Sequence, residues 1–211
     1  MIYLDNAATM WPKPPGVATA MCYFIENVGA NPGRAAHQAA IESGRIVYQA
    51  RESIAQILGA EDPMRVVFGA NVTEALNLAI YGLLKVGDHV VTTSMEHNAA
   101  MRPLRYMESQ GVDLTVIPCT QEGLVAPEDI RQAIRPNTRL VIVNHASNVV
   151  GTIQPIDEIG RIVQDTHALF LVDTAQTAGS IPIDMQASAI DLLAFTGHKA
   201  LCGSMGTGGL V

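Results

Sequence analysis

Lys199 closes the run Leu192-Leu193-Ala194-Phe195-Thr196-Gly197-His198-Lys199, and five glycines fall in the thirteen residues from Gly197 to Gly209. A lysine delivered by an apolar segment is partly desolvated, which lowers its pKa and frees the amine to act as nucleophile or proton carrier. Asp173, 26 residues earlier, ends another apolar run, Leu169-Phe170-Leu171-Val172. A carboxylate in that position is costly unless a cation or a well-placed donor meets it. A buried structural ion pair or the positive group of a ligand would serve equally. Val72 and Thr73 open a segment whose Ala75, Leu76, Ala79 and Ile80 recur at helical spacing. A helix start presents free N–H groups and the positive end of the dipole, which suits a phosphate. The same residues also read as an ordinary capping box, with Asn71 as N-cap and Glu74 three residues on. His97, Asn148 and Gln176 lie in polar stretches and singly would be unremarkable.

One ligand makes these residues consistent. A lysine that forms a Schiff base, an acid facing a pyridinium nitrogen and a phosphate site at a helix start are together what pyridoxal phosphate requires. Other phosphate-binding signatures are not supported. The Thr73 segment lacks the lysine of GxxxxGK[ST], and no GxGxxG follows the first strand-like run.

The elements that must position these residues form a rhythm. Short apolar runs at 65–69, 89–93, 114–118, 140–145, 169–174 and 192–197 alternate with helical or linking segments. Val/Ile/Leu runs without polar alternation predict strands covered on both faces, and strand–helix alternation predicts a mostly parallel sheet. In such sheets ligands bind beyond the carboxyl ends of the strands. The residues after five of the runs are nearly all polar: Gly69–Glu74, Met95–Asn98, Asn144–Asn148, Asp173–Gln176 and Thr196–Lys199. Upstream, Val17, Met21, Phe24, Ile25 and Val28 share a helical face, and a longer helix is expected from about Ala35 to Leu58, stopped by Gly59.

A formal charge of −7 with scattered basic residues speaks against nucleic-acid or anionic-membrane partners. Cys22, Cys119 and Cys202 have no metal-ligand spacing; no metal site is expected, and sparse unpaired cysteines point to a reducing, cytoplasmic setting. Cys22 and Cys119 lie in apolar contexts that predict burial, and Cys202 reads as a small packing residue. No apolar run reaches membrane-spanning length, and the start has no signal-peptide pattern. Hydrophobic content of 48% suggests surface covered by a partner chain or by further chain.

Eight stretches carry a resemblance: YLDNAAT near the start, NPGR at 31–34 with His37, ARE at 50–52, TEALNLAI at 73–80, EHNA at 96–99, HASNVVGTIQPI at 145–156, LVDTAQTAG at 171–179 and TGHKALCGSMGTGGL at 196–210. Together they resemble the cysteine desulfurase family (NifS/SufS-like), within the class V aminotransferases and the fold type I pyridoxal-phosphate enzymes. The resemblance implies a three-layer α/β/α domain with a mostly parallel sheet. Residues 1–60 would form a helical segment contributing to the active site and to a homodimer, and residues 61–211 the cofactor-binding large domain. It implies that Lys199 carries the cofactor and moves protons, that Asp173 pairs with the pyridinium nitrogen, and that His97 stacks on the ring and serves substrate as acid or base. Gln176 would bond the ring's phenolic oxygen. Thr73 and the N–H groups around Val72, with Thr196 and His198, would hold phosphate, and Asn148 would contact substrate or ring. Asn6, Ala7, Ala8, Arg34 and His37 would lie at the substrate mouth.

By the same resemblance the substrate is L-cysteine, the products alanine and an enzyme-bound persulfide, and a sulfur-acceptor protein is a partner in iron–sulfur assembly. The persulfide cysteine, the arginine that grips the substrate carboxylate and a small C-terminal domain are expected beyond residue 211, and the large domain is expected to be incomplete at its end, with an unfinished sheet edge. Ser204 stands where relatives commonly carry proline. Alternatives are another class V enzyme (aminotransferase, selenocysteine lyase or epimerase) and a non-catalytic fragment that keeps the fold.

Overall fold

A computed structural model describes residues 2–211. Each of the six apolar runs contributes a strand, and a seventh follows them among the described residues: β1 (Val67–Gly69), β2 (His89–Thr93), β3 (Asp113–Ile117), β4 (Thr138–Asn144), β5 (Leu169–Asp173), β6 (Leu192–Thr196) and β7 (Gly208–Leu210). They join in one sheet in the order β1-β7-β6-β5-β4-β2-β3. β2 pairs in parallel with β3 and β4, and β4–β5 and β5–β6 are also parallel. β7 runs antiparallel to both of its neighbours, β6 and β1.

Side chains leave a strand to alternate faces, so a continuously apolar strand needs cover on both sides. Leu140, Ile142, Leu171 and Ala194 pack beneath α3 (Val72–Leu83) and α4 (Asn98–Ser109). Their neighbours Val141, Val143, Phe170, Val172, Leu193 and Phe195 pack on the opposite side. There they meet α2 (Gln38–Leu58), α5 (Pro127–Ala133) and α6 (Ile156–Gln164). Two cores on one sheet make the expected three layers. Each buried Leu, Ile or Val contributes roughly 1.5–3 kcal/mol.

The structure differs from the sequence expectations in two places. The shared face of Val17, Met21, Phe24, Ile25 and Val28 is not buried: α1 (Pro15–Tyr23) and the π-helical turn Phe24–Val28 contain no buried residue. Helical spacing shows which side chains share a face but not whether anything packs on it. Cys22 is therefore exposed rather than buried, and Cys119, just beyond β3, is half-buried. The last strand lies inside the sheet between β6 and β1, so the edges are β1 and β3. Gly197, Gly208 and Gly209 serve close packing of the chain on itself. A Cβ on Gly208 would sit 2.7 Å from the Asn71 Cα and the Phe195 carbonyl. One on Gly209 would strike the Val67 carbonyl, and one on Gly197 the Thr207 side chain. β7 is thus wedged between two strands and the start of α3.

α2 begins three residues later than expected, at Gln38, with the His37 ring accepting from the Ala40 N–H at 3.2 Å. It stops at Gly59, whose φ of 66° is the left-handed C-cap expected of glycine.

Candidate active site

The carboxyl ends of β4, β5 and β6 meet the starts of α3 and α4 at one cavity. Val72, His97, Asn144, Ala146, Asn148, Asp173, Ala175, Gln176 and Lys199 line it. β5 delivers Asp173 because Leu169–Val172 are buried in register between β4 and β6. Asp173 is only 1% exposed. Its Oδ1 accepts from the Ala175 N–H at 2.9 Å, a tight turn directly after the strand. Burial raises its pKa above the usual carboxylate range, against the pull of that N–H, His97 and Lys199.

Lys199 enters from beyond β6 and is half-buried. Burial lowers its pKa, with Asp173 opposing. Among the described residues neither Lys199 nor Asp173 has an oppositely charged group within 4.0 Å, although both line the same cavity. The two groups therefore share one cavity without forming an ion pair. A cationic ring placed between them would answer Asp173's lack of a counter-ion.

The start of α3 resolves a choice that the sequence left open. Asn71 caps the helix, its Oδ1 accepting from the Glu74 N–H at 2.9 Å, and Glu74 reaches back to the Ala70 N–H. Capping uses the third helical N–H and leaves those of Val72 and Thr73 without a partner among the described residues. The capping box and an anion site therefore coexist. Thr73 lies in a groove between α3 and α4 that shares His97 with the cavity and also contains Asn77, Tyr81 and Arg102.

His97 caps α4 through Nδ1, which accepts from the Ala99 N–H at 3.1 Å, leaving Nε2 unengaged among the described residues. Gln176 donates from Nε2 to the Ala7 carbonyl at 3.2 Å, which brings the N-terminal segment to the cavity's rim. Asn6 accepts from the Trp11 N–H at 3.1 Å, and Ala8 is exposed in the same turn. Asn148 sits on an exposed hairpin closed by the Ala146–Ile153 bridge.

Eight of the anticipated residues lie outside the cavity lining: Thr73, Asn6, Ala7 and Ala8, placed above, and Thr196, His198, Arg34 and His37. Thr196 is buried, 3.5 Å from the Thr207 carbonyl. His198 turns its Nδ1 to the Thr9 hydroxyl at 3.0 Å, and burial, then Lys199 and Lys13, lower its pKa. Arg34 is exposed in the loop before α2, and His37 is spent on capping that helix.

Asn144, Ala146 and Ala175 line the cavity and were not singled out from sequence, though all lie just at or after strand ends. Thr9 and Lys13 were also missed. Three donors converge on the His198 carbonyl: the Met10 N–H at 3.1 Å, the Thr9 hydroxyl at 3.2 Å and Lys13 Nζ at 2.6 Å. No sequence signal could have paired residues so far apart. No cluster of His, Cys, Asp and Glu suited to a metal occurs among the described residues. No described helix is long and apolar enough to cross a membrane.

The sequence pattern of the family described as "Aminotransferase class-V" matches residues 2–211. The chain belongs to that family. It is 40% identical over 208 residues to a probable cysteine desulfurase of Methanothermobacter thermautotrophicus, covering 98% of this chain and 52% of that protein. It is 36% identical to the cysteine desulfurase IscS of Dictyoglomus turgidum, covering 99% and 53%. Among solved structures, SspA in complex with cysteine superposes with a TM-score of 0.93 at 36% identity, over 100% of this chain and 60% of that one. The apo cysteine desulfurase of Thermococcus onnurineus NA1 gives 0.93 at 35%, over 99% and 52%. The chain thus spans about half the length of the curated relatives it matches. Class V membership brings pyridoxal-phosphate chemistry into question for this cavity, and the residues present fit it. They supply a buried acid without a counter-ion, a half-buried lysine without an acid, and free N–H groups at a helix start.

Proposed function

We propose that this chain is the cofactor-binding part of a pyridoxal-phosphate-dependent cysteine desulfurase, which takes sulfur from L-cysteine and leaves alanine. The observation that carries the reading is that Asp173 and Lys199, opposite charges without an ion-pair contact, line one cavity. The identities of 35–40% to cysteine desulfurases support it.

Pyridoxal phosphate, when bound, supplies an electron-accepting ring that draws charge from the α-carbon of an amino acid. The chain's own residues do the rest. Asp173, already stripped of water, holds a proton on the ring nitrogen by its negative charge. Lys199 would attach the cofactor and, once released, would carry a proton at Nζ, and burial, by lowering its pKa, makes the neutral amine easier to form. The Val72 and Thr73 N–H groups and the Thr73 hydroxyl would hold the phosphate. His97 lines the cavity at the start of α4, where its ring could stack on the cofactor and its free Nε2 could exchange a proton, and Gln176 and Asn148 would supply polar contacts from the same lining.

The sulfur chemistry is assigned to a cysteine outside this chain's cavity. Among the described residues Cys22, Cys119 and Cys202 are free, and none of them lines the cavity. Cys202 packs with its Sγ 2.9 Å from Met10 Sδ. A homodimer, a protein that accepts the sulfur and a cytoplasmic location belong to the same proposal. Exposed apolar side chains such as Ile2 (88%) and Leu4 (91%) are consistent with further contacts for the N-terminal segment.

The test is spectroscopic. Added pyridoxal phosphate should give a visible absorbance band that borohydride removes and Lys199→Ala never develops. A folded wild-type chain with no such band refutes the cofactor assignment. If the band forms, L-cysteine should perturb it more than L-alanine or L-aspartate does; the reverse order would favour another class V reaction.

A further inference from the structure

Glu96 lies one residue before His97, and the cofactor reading above assigns it nothing. Its carboxyl group is buried. Oε1 accepts twice, from the Thr93 hydroxyl at 2.7 Å and from the Asn144 N–H at 3.0 Å. Oε2 is buried with no hydrogen-bond partner, the one side-chain polar atom so placed among the described residues. The two donors tie together separate elements. Thr93 ends β2 and Asn144 ends β4, where it lines the cavity and pairs in register with Asp173 of β5. The Glu96 side chain therefore pins the turn that carries His97 against the strand ends that carry Asn144 and Asp173.

An ionised carboxylate there would leave a negatively charged oxygen buried without a donor, beside a second carboxylate. A carboxylic acid leaves only a neutral O–H on Oε2 without a partner, which costs far less than an unpartnered charge, and Oε1 already has both donors. We propose that Glu96 is a positioning residue that works as a neutral carboxylic acid, latching the His97 turn to β4 and leaving Asp173 as the one carboxylate charge beneath the cavity.

Electrostatics agree with the geometry. Burial foremost, and Asp173 in the same direction, push the Glu96 pKa up to about 8, against the hydrogen bonds from Thr93 and Asn144. Asp173 is the charged group that acts on Glu96 directly, while His97 and Lys199 act on Asp173. Two neighbouring buried carboxyls share the burden of one proton. A cationic ring nitrogen settles the division, because it favours charge on Asp173 and leaves the proton with Glu96. Above the Glu96 pKa the latch gains a charge that has no partner, and the His97 turn loosens from β4.

This inference rests on the cofactor reading, but its first readout does not. In apo-protein carrying glutamate labelled with carbon-13 at the side-chain carboxyl, one resonance should titrate near pH 8, and Glu96→Gln should remove it. The second readout is the pyridoxal phosphate Kd measured by absorbance across the same range. Glu96→Gln keeps the Oε1 acceptor without a titrating proton, so it should bind within about twofold of wild type at neutral pH. At alkaline pH wild type should weaken by about tenfold relative to Glu96→Gln. Glu96→Ala, which loses both hydrogen bonds, should bind more weakly at every pH. The proposal is overturned if no glutamate titrates above the ordinary carboxylate range, or if Glu96→Gln binds as weakly as Glu96→Ala at neutral pH. Should wild type fail to bind pyridoxal phosphate while the alkaline titration persists, the cofactor reading falls and the neutral latch stands.

Discussion

Lys13 donates from Nζ to the main-chain carbonyl of His198 at 2.6 Å, joining positions 185 residues apart. The peptide it grips is the one that delivers Lys199. With the Met10 N–H and the Thr9 hydroxyl on the same oxygen, the N-terminal segment is sewn onto the lysine loop. This anchoring bears on function because β6 ends at Thr196, so no strand ladder holds the Lys199 backbone.

Replacing Lys13 by Met should loosen that loop. A charge-assisted hydrogen bond is removed at a half-buried site, so a stability loss of about 1 kcal/mol is expected. Urea unfolding would measure it. The functional effect should be larger in pyridoxal phosphate affinity than in global stability, and Lys13→Arg should recover part of it. Equal affinity in Lys13→Met and wild type would mean that the Met10 and Thr9 contacts suffice.

Asp173→Asn should divide stability from binding. Burial raises the folded-state pKa of Asp173, so between the ordinary carboxylate pKa and that raised value the unfolded chain holds fewer protons. Stability then falls as pH rises through this window. The neutral amide escapes that penalty, so the apo form of Asp173→Asn should be at least as stable as wild type at neutral pH. Its affinity for pyridoxal phosphate should drop on the order of a hundredfold, because the ring nitrogen loses a buried counter-charge. Thermal melts with and without cofactor would show the two effects in opposite directions.

Lys199→Met carries the mirrored sign. Burial lowers the folded-state pKa of Lys199, so between that value and the ordinary lysine pKa the unfolded chain binds more protons. The apo wild type should therefore gain stability as pH rises through the alkaline range. Lys199→Met should lack that gain when unfolding is compared over a pH series. An identical pH dependence for both proteins would place the lysine in solvent.

Gly208→Ala tests the packing of β7. The added Cβ would meet the Asn71 Cα at 2.7 Å and the Phe195 carbonyl at 2.7 Å, both backbone atoms that cannot swing aside. Overpacking of this kind costs roughly 1–3 kcal/mol. It also pushes on Asn71, the cap of α3, so phosphate affinity should fall with stability. Gly206→Ala is the control for the loop: an added Cβ meets nothing there, but φ is +81°, so only backbone strain of order 1 kcal/mol is expected.

Much of the architecture was legible because apolar runs between polar turns leave few alternatives. The β2 run was read at 89–93, the residues it occupies, and β5 and β6 were each read one residue too long. Six of the expected residues, Val72, His97, Asn148, Asp173, Gln176 and Lys199, line one cavity because strand ends in a parallel sheet all point to one edge. Thr196 and His198 were not separable from their neighbours in this way. Side chains one residue apart leave a loop in different directions, and only the path of the chain after β6 decides which faces the cavity.

What the sequence determined on its own was chemistry and order: a desolvated lysine, an acid needing a cation, a helix start with donors to spare, and the strands that carry them. These follow from residue type and local spacing, which act over a few neighbouring positions. The tertiary structure decided what depends on contacts across long stretches of chain. It put β7 inside the sheet, set Gly208 and Gly209 against backbone, left the α1 face without a fully buried residue, and brought Lys13 to His198 and Glu96 to Asn144. Local pattern cannot specify such pairs, because their free energy exists only once the sheet has closed and water has been excluded.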